Sequence, residues 1–391
     1  MEKQKVCIIG GGLTGLITAL ALSKLNLNVD LVIGSIKAHI ASNKTTAISQ
    51  ENYYFLKQLK IINFSKIKFW PCTKMKLYTE KKFNKFDEIF EIKKDKNHKE
   101  KILYMMNNAQ VVAFLIKSIK KEKLINIKYN NKVSDIVSSG LLKSIKFKKV
   151  DACKYNLIIL CTGKDSGLLK TKIQSQVFKH SYDELAITST VKHEYCKNDV
   201  ARQIFLDNEI FAFLPISQKE TSVVWSLNKK ILKNKNKDVF FKKKINDFAK
   251  IFFKKTKIIS KIESRNLSLI IRNKYFDDRV LFFGDSLHVP HPLAGQGFNM
   301  ILRDLVNLEK LLKSKLSLGL DVGSMDVLKQ FEKENSPRNF VYSIGIDLIK
   351  KSFSINDKSF KFFRDLVITG INKNNYAKDF AYDVANKGLR F

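Results

Sequence analysis

Arginine and acidic residues are both scarce relative to lysine in this sequence. Lys and Arg together number 71 against 37 Asp and Glu, a formal net charge of +34, yet only eight of the basic residues are Arg. Strong positive charge is typical of nucleic-acid binding, but no recognised binding motif accompanies it. The shortage of arginine also removes the planar groups that best bind bases and phosphates, so we expect no nucleic-acid partner. We interpret the lysines as solvated surface in a biased composition; attraction to an anionic membrane, worth ~1 kcal/mol per basic residue near the bilayer, is the second explanation.

Cysteine pairs, prolines and long apolar runs are also lacking. The five cysteines form no C-x-x-C pair, which suits a reducing compartment and argues against a zinc site or a disulfide framework. Outside the glycine-rich N-terminus no uncharged run reaches the length of a membrane span. We therefore expect a soluble or peripheral protein, in the cytoplasm or at the inner membrane surface. With only five prolines, no linker and no repeats, domain bounds must be inferred from changes of pattern.

The N-terminus combines a short apolar strand, a glycine turn and a helix. Residues 6–9 are apolar, glycines follow at Gly10, Gly12 and Gly15, and residues 29–33 form a second strand where a βαβ unit needs one. In this context the glycines predict dinucleotide binding, because they allow a tight turn, close approach of the backbone to a pyrophosphate and close packing of helix on strand. The uncharged run is also similar to a signal peptide, but the glycines and the second strand favour the dinucleotide-binding unit.

A second strand-to-helix motif lies towards the C-terminus. Residues 280–283 are apolar and run into Gly284-Asp285, which indicates a buried strand that ends in a carboxylate. Gly295-Gln296-Gly297 then opens a segment whose apolar residues follow helical spacing. The start of such a helix offers free N–H groups and the positive end of a dipole to an anion.

This second motif resembles that of the p-hydroxybenzoate-hydroxylase-like FAD-dependent monooxygenases, and in particular the ubiquinone-biosynthesis hydroxylases of the UbiH/UbiF group. The family pattern is roughly Gly-Asp-Ala-Ala-His, a short spacer, His-Pro, a small apolar pair, Gly-Gln-Gly, an apolar residue and Asn. Here it stands as Gly284 to His288 and His291 to Asn299. The resemblance is strong at the two glycine motifs and extends loosely over nearly the whole chain.

The resemblance implies an FAD-dependent aromatic monooxygenase. In this family NAD(P)H binds transiently and reduces the flavin, oxygen adds at the flavin C4a carbon, and the hydroperoxide hydroxylates an electron-rich phenolic ring. We therefore expect FAD as the cofactor, a polyprenylated phenol of ubiquinone biosynthesis and molecular oxygen as substrates, and other quinone-biosynthesis proteins as candidate partners. A flavin-dependent reductase or oxidase of the same fold, and a non-catalytic flavin-binding assembly partner, remain as alternatives because a fold does not fix a reaction.

The resemblance also assigns roles to individual residues. Asp285 would accept hydrogen bonds from ribityl hydroxyls, and the helix start at Gly295 would face the flavin N1–C2=O edge. His288 is expected to orient its loop, whereas His291 and Pro292 are expected to touch the flavin or the substrate pocket. The predicted cofactor-binding residues are Gly10, Gly12, Gly15, Lys44, Gly284, Asp285, Gly295, Gln296, Gly297 and Asn299; the predicted catalytic-site residues are His291 and Pro292, and no metal ligands are predicted.

Three positions depart from the family pattern. A dinucleotide fold normally ends its second strand with Glu or Asp, which holds the adenosine ribose. The spacing from Gly15 reaches Ile33 instead, and Asp30 points to the opposite face of the strand. Lys44 stands where relatives carry Arg, and Thr162 stands where relatives carry Asp. The missing ribose acid predicts weak FAD binding.

The pattern along the chain predicts an α/β fold with a Rossmann-like domain, an interleaved, mainly antiparallel domain and a helical C-terminal region. The resemblance implies that the first of these binds FAD and the second the substrate. Within the substrate domain, Phe241, Ile245, Phe248 and Phe252 fall at helical spacing, which favours a helix that covers a sheet over a membrane anchor. The predicted bounds are residues 1–69, 103–181 and 275–337 for the first domain, 70–102 (ending in a surface hairpin or loop) and 182–274 for the second, and 338–391 for the helical region.

Overall fold

A computed structural model describes residues 3–34, 44–60, 67–82, 85–93, 101–129, 133–147, 153–164, 166–168, 177–233, 235–355 and 357–388. The charge-rich residues 94–100 and the last three residues of the expected helical region lie outside these ranges. The helices in the described part are α1 (Leu13–Ser23), α2 (Gln50–Gln58), α3 (Asn108–Ile119), α4 (Lys237–Phe252), α5 (Gln296–Ser317), α6 (Met325–Ser354), α7 (Lys358–Lys373) and α8 (Asn375–Lys387).

The first sheet is built from short apolar strands. These are β1 (Lys5–Ile9), β2 (Asn28–Ile33), β8 (Ile125–Tyr129), β12 (Leu157–Leu160), β19 (Phe276–Asp277) and β20 (Val280–Phe282). They lie in the order β19-β20-β12-β1-β2-β8, and all neighbours are parallel except β19 with β20. Strands β1 and β12 are almost fully buried, as expected for parallel strands covered on both faces. Apolar side chains of α1, α3 and α5 join the same core.

The second sheet is mainly antiparallel. Its strands are β5 (Lys74–Lys82), β6 (Lys85–Lys93), β13 (Val177–Lys192), β14 (Val200–Leu206), β15 (Glu209–Pro215), β16 (Glu220–Asn228), β17 (Lys257–Ile258), β18 (Glu263–Arg272) and β21 (His288–Val289). They lie in the order β21-β18-β13-β16-β15-β14-β5-β6, with β17 beside β13; only β14 and β5 run parallel. Phe241 and Phe248 of α4 pack against Trp225 and Phe211 of this sheet. The helix thus covers a sheet, as expected.

Two small sheets complete the strands. One contains β3 (Thr45–Ser49), β4 (Trp70–Cys72) and β7 (Leu103–Asn107) in the order β3-β7-β4; the other contains β9 (Val133–Ser139), β10 (Leu142–Phe147) and β11 (Cys153–Tyr155) in the order β11-β10-β9. Within the predicted segment 70–102, β5 and β6 therefore join the large antiparallel sheet, whereas β4 pairs with β7. The domain bounds themselves stay a prediction.

The second glycine motif connects the two large sheets. Strand β20 ends in the first sheet, and β21 pairs with β18 of the second, with Ile271 opposite His288. The residues between β20 and β21 therefore lie at the junction of the sheets. This connection brings Asp285, which follows β20, close in sequence to His288 and His291, which lie in and after β21. A strand-end carboxylate and two histidines thus lie near the junction of a dinucleotide-type sheet and an antiparallel sheet.

The C-terminal region is helical, but its first helix begins earlier than residue 338. Helix α6 starts at Met325 and continues through Pro337, because buried residues such as Phe331 and Ile346 hold it on both sides of the proline. The α/β architecture with a helical C-terminal region confirms the predicted fold class. Among the described residues, every helix falls short of the length or apolar character that crossing a bilayer requires.

Candidate active site

The two glycine motifs meet at the carboxyl ends of the parallel strands. In open α/β sheets, ligands bind at this edge, where the strand order reverses, as it does here between β1 and β12. A Cβ at Gly10 would overlap the carbonyl of Cys161, and a Cβ at Gly15 would overlap the carbonyl of Gly10, so both positions admit only glycine. Across the same edge, a Cβ at Gly284 would lie 2.8 Å from the Thr14 side chain at the start of α1. We call this region, with Lys44, Asp285 and residues 295–297, the strand-end site.

Two helices begin at the strand-end site with uncapped backbone donors. The N-cap residues are Gly12 for α1 and Gly295 for α5, and neither helix has a side-chain cap or an acidic residue in its first turn. The free N–H groups and the helix dipole therefore favour an anionic group at each start. Thr162 lies two residues after the end of β12, and its buried hydroxyl has no hydrogen-bond partner within the described part of the chain. These donors fit the diphosphate and the polar edge of FAD.

Asp285 combines a crowded position with an open side chain. Protein surrounds it closely enough that burial raises the pKa of its carboxyl, although the positive charges of Lys44 and Lys164 and the neighbouring His288 pull the pKa the other way. Its side chain nevertheless remains exposed to solvent, as expected for a group that faces an open cleft. Burial likewise lowers the pKa of Lys44, and Asp285 opposes that shift. The fold therefore brings together a predicted acceptor and a predicted cation from distant parts of the sequence.

Asn299 fixes the start of α5 against β3. Its Nδ2 donates to the carbonyls of Ala47 (3.0 Å) and Gly295 (3.2 Å), and its Oδ1 accepts from the Ser49 backbone N–H (2.8 Å) and from Asn52 Nδ2 (2.9 Å). An amide side chain can make no more than about four such bonds. These bonds let Asn299 position Gly295, and its contact with the cofactor stays a prediction.

The remaining residues of the motif lie in or next to the first turn of α5. Gln296 and Gly297 are its first two residues, and the Gln296 Oε1 accepts a hydrogen bond from the Tyr342 hydroxyl at 2.7 Å. Pro292 is half-buried and precedes the 3-10 turn Leu293–Gly295 that leads into α5. Backbone N–H groups of this turn are donors available to the strand-end site, and contact of Gln296 with the cofactor stays a prediction.

His288 is held in place by a carboxylate. Its ring is buried, and Nε2 lies 2.8 Å from Asp304 Oδ2 on α5. Asn339 of α6 donates to both oxygens of Asp304, at 2.9 and 3.0 Å. This chain of hydrogen bonds joins β21, α5 and α6, which agrees with the expected role of His288 in orienting its loop.

His291, the second histidine of the motif, is also buried, and its partners differ from those of His288. Its Nε2 lies 3.2 Å from Glu184 Oε2, and the other Glu184 oxygen lies 2.6 Å from Lys350 Nζ. Burial raises the pKa of Glu184, but hydrogen bonds from His291 and Lys350 outweigh burial and lower it, so the carboxylate is charged and accepts the Nε2 proton. In the neutral ring this fixes the tautomer and leaves Nδ1 as an acceptor. Nδ1 is buried and has no hydrogen-bond partner among the described residues.

Glu184 and Lys350 were not anticipated from the sequence. Glu184 lies on β13 beside a bulge between Ser181 and Leu185, and such bulges redirect side chains near functional sites. Asp183 within the bulge has a left-handed backbone (φ 51°), so the period of two along a strand could not predict the faces of its neighbours. Tyr182 and Glu184 are nevertheless both buried, and the Tyr182 ring lies edge-on to His291 at 5.1 Å. No sequence signal indicated that Lys350, on α6, would complete the pair.

The departure at the end of β2 has a clear structural counterpart. Ile33 packs so closely on the glycine turn that a Cβ at Gly11 would overlap its Cγ2. Asp30 is buried on the other face, where it accepts a hydrogen bond from the Tyr155 hydroxyl at 2.7 Å and lies 3.1 Å from Lys128 Nζ. The side chain that would face an adenosine ribose is therefore apolar, and the nearest carboxylate is committed elsewhere.

Comparisons with known proteins point to one kind of flavoprotein. A family described as FAD binding domain matches residues 161–339. The chain is 22% identical over 423 residues to the mitochondrial ubiquinone biosynthesis monooxygenase COQ6 of Caenorhabditis elegans, covering 95% of this chain and 93% of that protein. It is 22% identical over 378 residues to the 3-demethoxyubiquinol 3-hydroxylase of Escherichia coli (strain K12), covering 93% and 94%. Among solved structures, the p-nitrophenol 4-monooxygenase PnpA of Pseudomonas putida DLL-E4 superimposes with a TM-score of 0.80 over 100% of both chains at 14% identity, which bears on the fold alone.

These matches confirm the resemblance to ubiquinone-biosynthesis hydroxylases that the two glycine motifs indicated. They also confirm FAD as the cofactor, since the matched family is an FAD-binding domain. The matched residues 161–339 of this chain include the whole second motif. The assignment of roles to single residues is not tested by them and rests on the geometry described above.

Proposed function

We propose that this FAD-dependent monooxygenase hydroxylates the aromatic ring of a polyprenylated phenol in ubiquinone biosynthesis, with NAD(P)H as the electron donor and molecular oxygen as co-substrate. The observation that carries the proposal is the position of the second glycine motif. It supplies a helix start and Asp285 to the dinucleotide-type sheet and, a few residues away, presents His291 at the edge of the antiparallel sheet. One segment thus serves both a cofactor and a substrate.

The residues of the strand-end site would hold FAD in three parts. The glycine turn and the start of α1 would bind the diphosphate through backbone N–H groups. Asp285, with Lys44 beside it, would accept hydrogen bonds from ribityl hydroxyls, and residues 295–297 would donate to the polar edge of the flavin ring. Bound FAD supplies the redox chemistry: reduced by NAD(P)H, it activates oxygen for insertion into an electron-rich ring.

His291 would orient the phenol. Glu184 holds the Nε2 proton of its ring, and Nδ1, which is buried in this structure, would accept a hydrogen bond from a phenolic O–H when side chains around it move to admit the phenol. An acceptor at that oxygen increases electron density on the ring carbons, which favours attack by an electrophilic oxygen. Pro292, the next residue, would keep the loop rigid between His291 and the start of α5. His291 is thus proposed as the residue that touches substrate, and Glu184 and Lys350 as positioning residues.

The test is NAD(P)H oxidation and oxygen uptake by purified protein with a short-chain prenylated phenol, with product mass measured in parallel. Coupled consumption of both and a product that gains one oxygen atom support hydroxylation. The His291→Ala variant should keep bound FAD but lose product, whereas Asp285→Ala should lose FAD itself. Oxygen uptake that yields only hydrogen peroxide with every phenol tried would contradict the proposal and favour an oxidase; flavin without any turnover would favour a non-catalytic partner.

A further inference from the structure

Helix α7 carries its apolar side outward. Its large exposed residues have exposed fractions of 72% for Phe362, 63% for Phe363, 58% for Leu366, 44% for Val367 and 37% for Ile371. Their spacing of three and four puts them on one side of the helix. A surface helix normally turns this side towards the core, so α7 reverses the usual arrangement. We call these five residues the apolar strip.

The inward side of α7 is held by polar and stacking contacts and by Ile368, which packs against the core. Arg364 is the only buried residue of the helix; its guanidinium donates to the Ser352 carbonyl (3.3 Å) and stacks on the Phe353 ring at 4.3 Å. Further along, the Asn372 Oδ1 accepts a hydrogen bond from the Glu91 backbone N–H (3.2 Å) at the second sheet. These contacts fix the rotation of the helix about its axis, and the apolar strip therefore faces solvent.

Lysines and aromatic residues flank the apolar strip, together with the exposed acidic residues Asp357 and Asp379. Lys358 and Lys373, at the two ends of α7, are exposed. On the next helix, α8, Tyr376 and Phe380 are 89% and 69% exposed. An uncharged strip flanked by lysines and aromatic residues is the pattern of helices that lie in a membrane interface, and the chain as a whole has a net charge of +34.

We propose that the apolar strip of α7 docks the protein onto an anionic lipid bilayer. Charge complementarity distinguishes this occupant from a second copy of the chain, since two faces flanked by the same lysines would repel each other. The inference deepens the proposed function and rests on it for its purpose: a phenol with a polyprenyl tail is held in the bilayer, and docking brings the enzyme to it. The docking itself can be measured without any substrate.

The test is co-sedimentation of purified full-length protein with vesicles of phosphatidylcholine alone or mixed with phosphatidylglycerol. Wild type should bind the mixed vesicles and be released by salt, because screening weakens the electrostatic part. Phe362→Ser/Phe363→Ser should weaken binding about tenfold or more, through loss of apolar burial. The control is Leu141→Ser, which removes an apolar side chain that is 86% exposed elsewhere and should leave binding unchanged. Lys358→Glu/Lys373→Glu should weaken binding to mixed vesicles only.

The proposal would be overturned if the Phe362/Phe363 double variant bound vesicles as well as wild type, or if it bound them no less than the Leu141 control. It would also be overturned if wild type formed a dimer that the double variant dissociates while vesicle binding persists. Circular dichroism should show that each variant is folded, since the changed residues are exposed. Vesicle binding without hydroxylation of any phenol would sustain docking and refute the proposed function. Hydroxylation of a short-chain phenol, with no effect of the double variant on vesicle binding, would support the proposed function and refute docking.

Discussion

Replacing Lys350 with Met tests whether the buried charge pair behind His291 stabilises the fold. Lys350 Nζ lies 2.6 Å from Glu184 Oε1, and the two side chains are only 12% and 8% exposed. The ammonium also lies 4.6 Å from the centre of the Tyr182 ring. Methionine keeps most of the aliphatic stem and removes the charge, so Glu184 would keep only the hydrogen bond from His291 among its described partners.

The expected loss is large because the remaining carboxylate stays buried. Removing one partner of a buried pair typically costs ~3–5 kcal/mol, and the bond to His291 argues for the lower end, ~3 kcal/mol. The adjacent Lys351 provides a matched control. It pairs with Asp347 at 2.9 Å, but Lys351 itself is 59% exposed, so water can replace its ammonium, and Asp347, although only 6% exposed, keeps the hydrogen bond from the Tyr182 hydroxyl (2.9 Å). Lys351→Met should therefore lower the free energy of unfolding by no more than ~1 kcal/mol.

The pH dependence identifies the cause. The folded-state pKa of Glu184 is lowered, so its contribution to stability is complete above the unfolded value of about 4.3 and is lost as pH falls through the folded value. Without Lys350, burial is opposed by His291 alone and the pKa of Glu184 rises. The difference between wild type and Lys350→Met should therefore be greatest near neutral pH and shrink as the solution becomes acidic enough to protonate the carboxylate.

Urea unfolding followed by far-UV circular dichroism, at neutral and at acidic pH, measures both effects. The reasoning is refuted if Lys350→Met loses the same stability at both pH values, because packing or the contact with Tyr182 would then be the cause. It is also refuted if Lys350→Met and Lys351→Met cost the same. A Glu184→Gln/Lys350→Met double variant should recover part of the loss, since no buried charge then lacks a partner.

Three further predictions concern the cofactor. Asp285→Ala should purify without flavin absorbance because it removes the proposed ribityl acceptor; undiminished flavin would exclude that role. Wild type should purify with less than one FAD per chain. Ile33→Glu should tighten FAD binding about 10- to 100-fold in calorimetric titration, because a hydrogen bond to a charged group is worth ~1.5–3 kcal/mol. Stoichiometric flavin in the wild type and no gain from the variant would mean that another group holds the ribose. Asn299→Ala, which strips partners from the Ser49 N–H and the Ala47 carbonyl, should lower the free energy of unfolding by ~2 kcal/mol and weaken FAD; loss of neither would contradict its positioning role.

The parts of the site that the sequence predicted are those with local requirements. Gly10 and Gly15 are needed because neighbouring backbone leaves no room for a Cβ, and this constraint shows as a spacing of glycines after an apolar strand. The strand that ends at Asp285 and the helix that starts at Gln296 are likewise encoded in consecutive residues. Even the absence of an acid at Ile33 could be read directly, because the period of a strand fixes which face a residue occupies.

The sequence by itself thus determined the fold class and the two motifs that meet at the strand-end site, since each depends on periodicity or on steric limits within a few residues. FAD as the cofactor followed from the resemblance of the second motif to a known family. Only the tertiary structure decided the partners. It joined Glu184 and Lys350 behind His291, and it bound the Asn299 side chain to Ala47, Ser49, Asn52 and Gly295. Periodicity likewise predicts that α7 has an apolar side but not which way that side faces; Arg364, stacked on Phe353, turns it outward. Such pairings depend on contacts between residues far apart in the chain, and no local pattern specifies them.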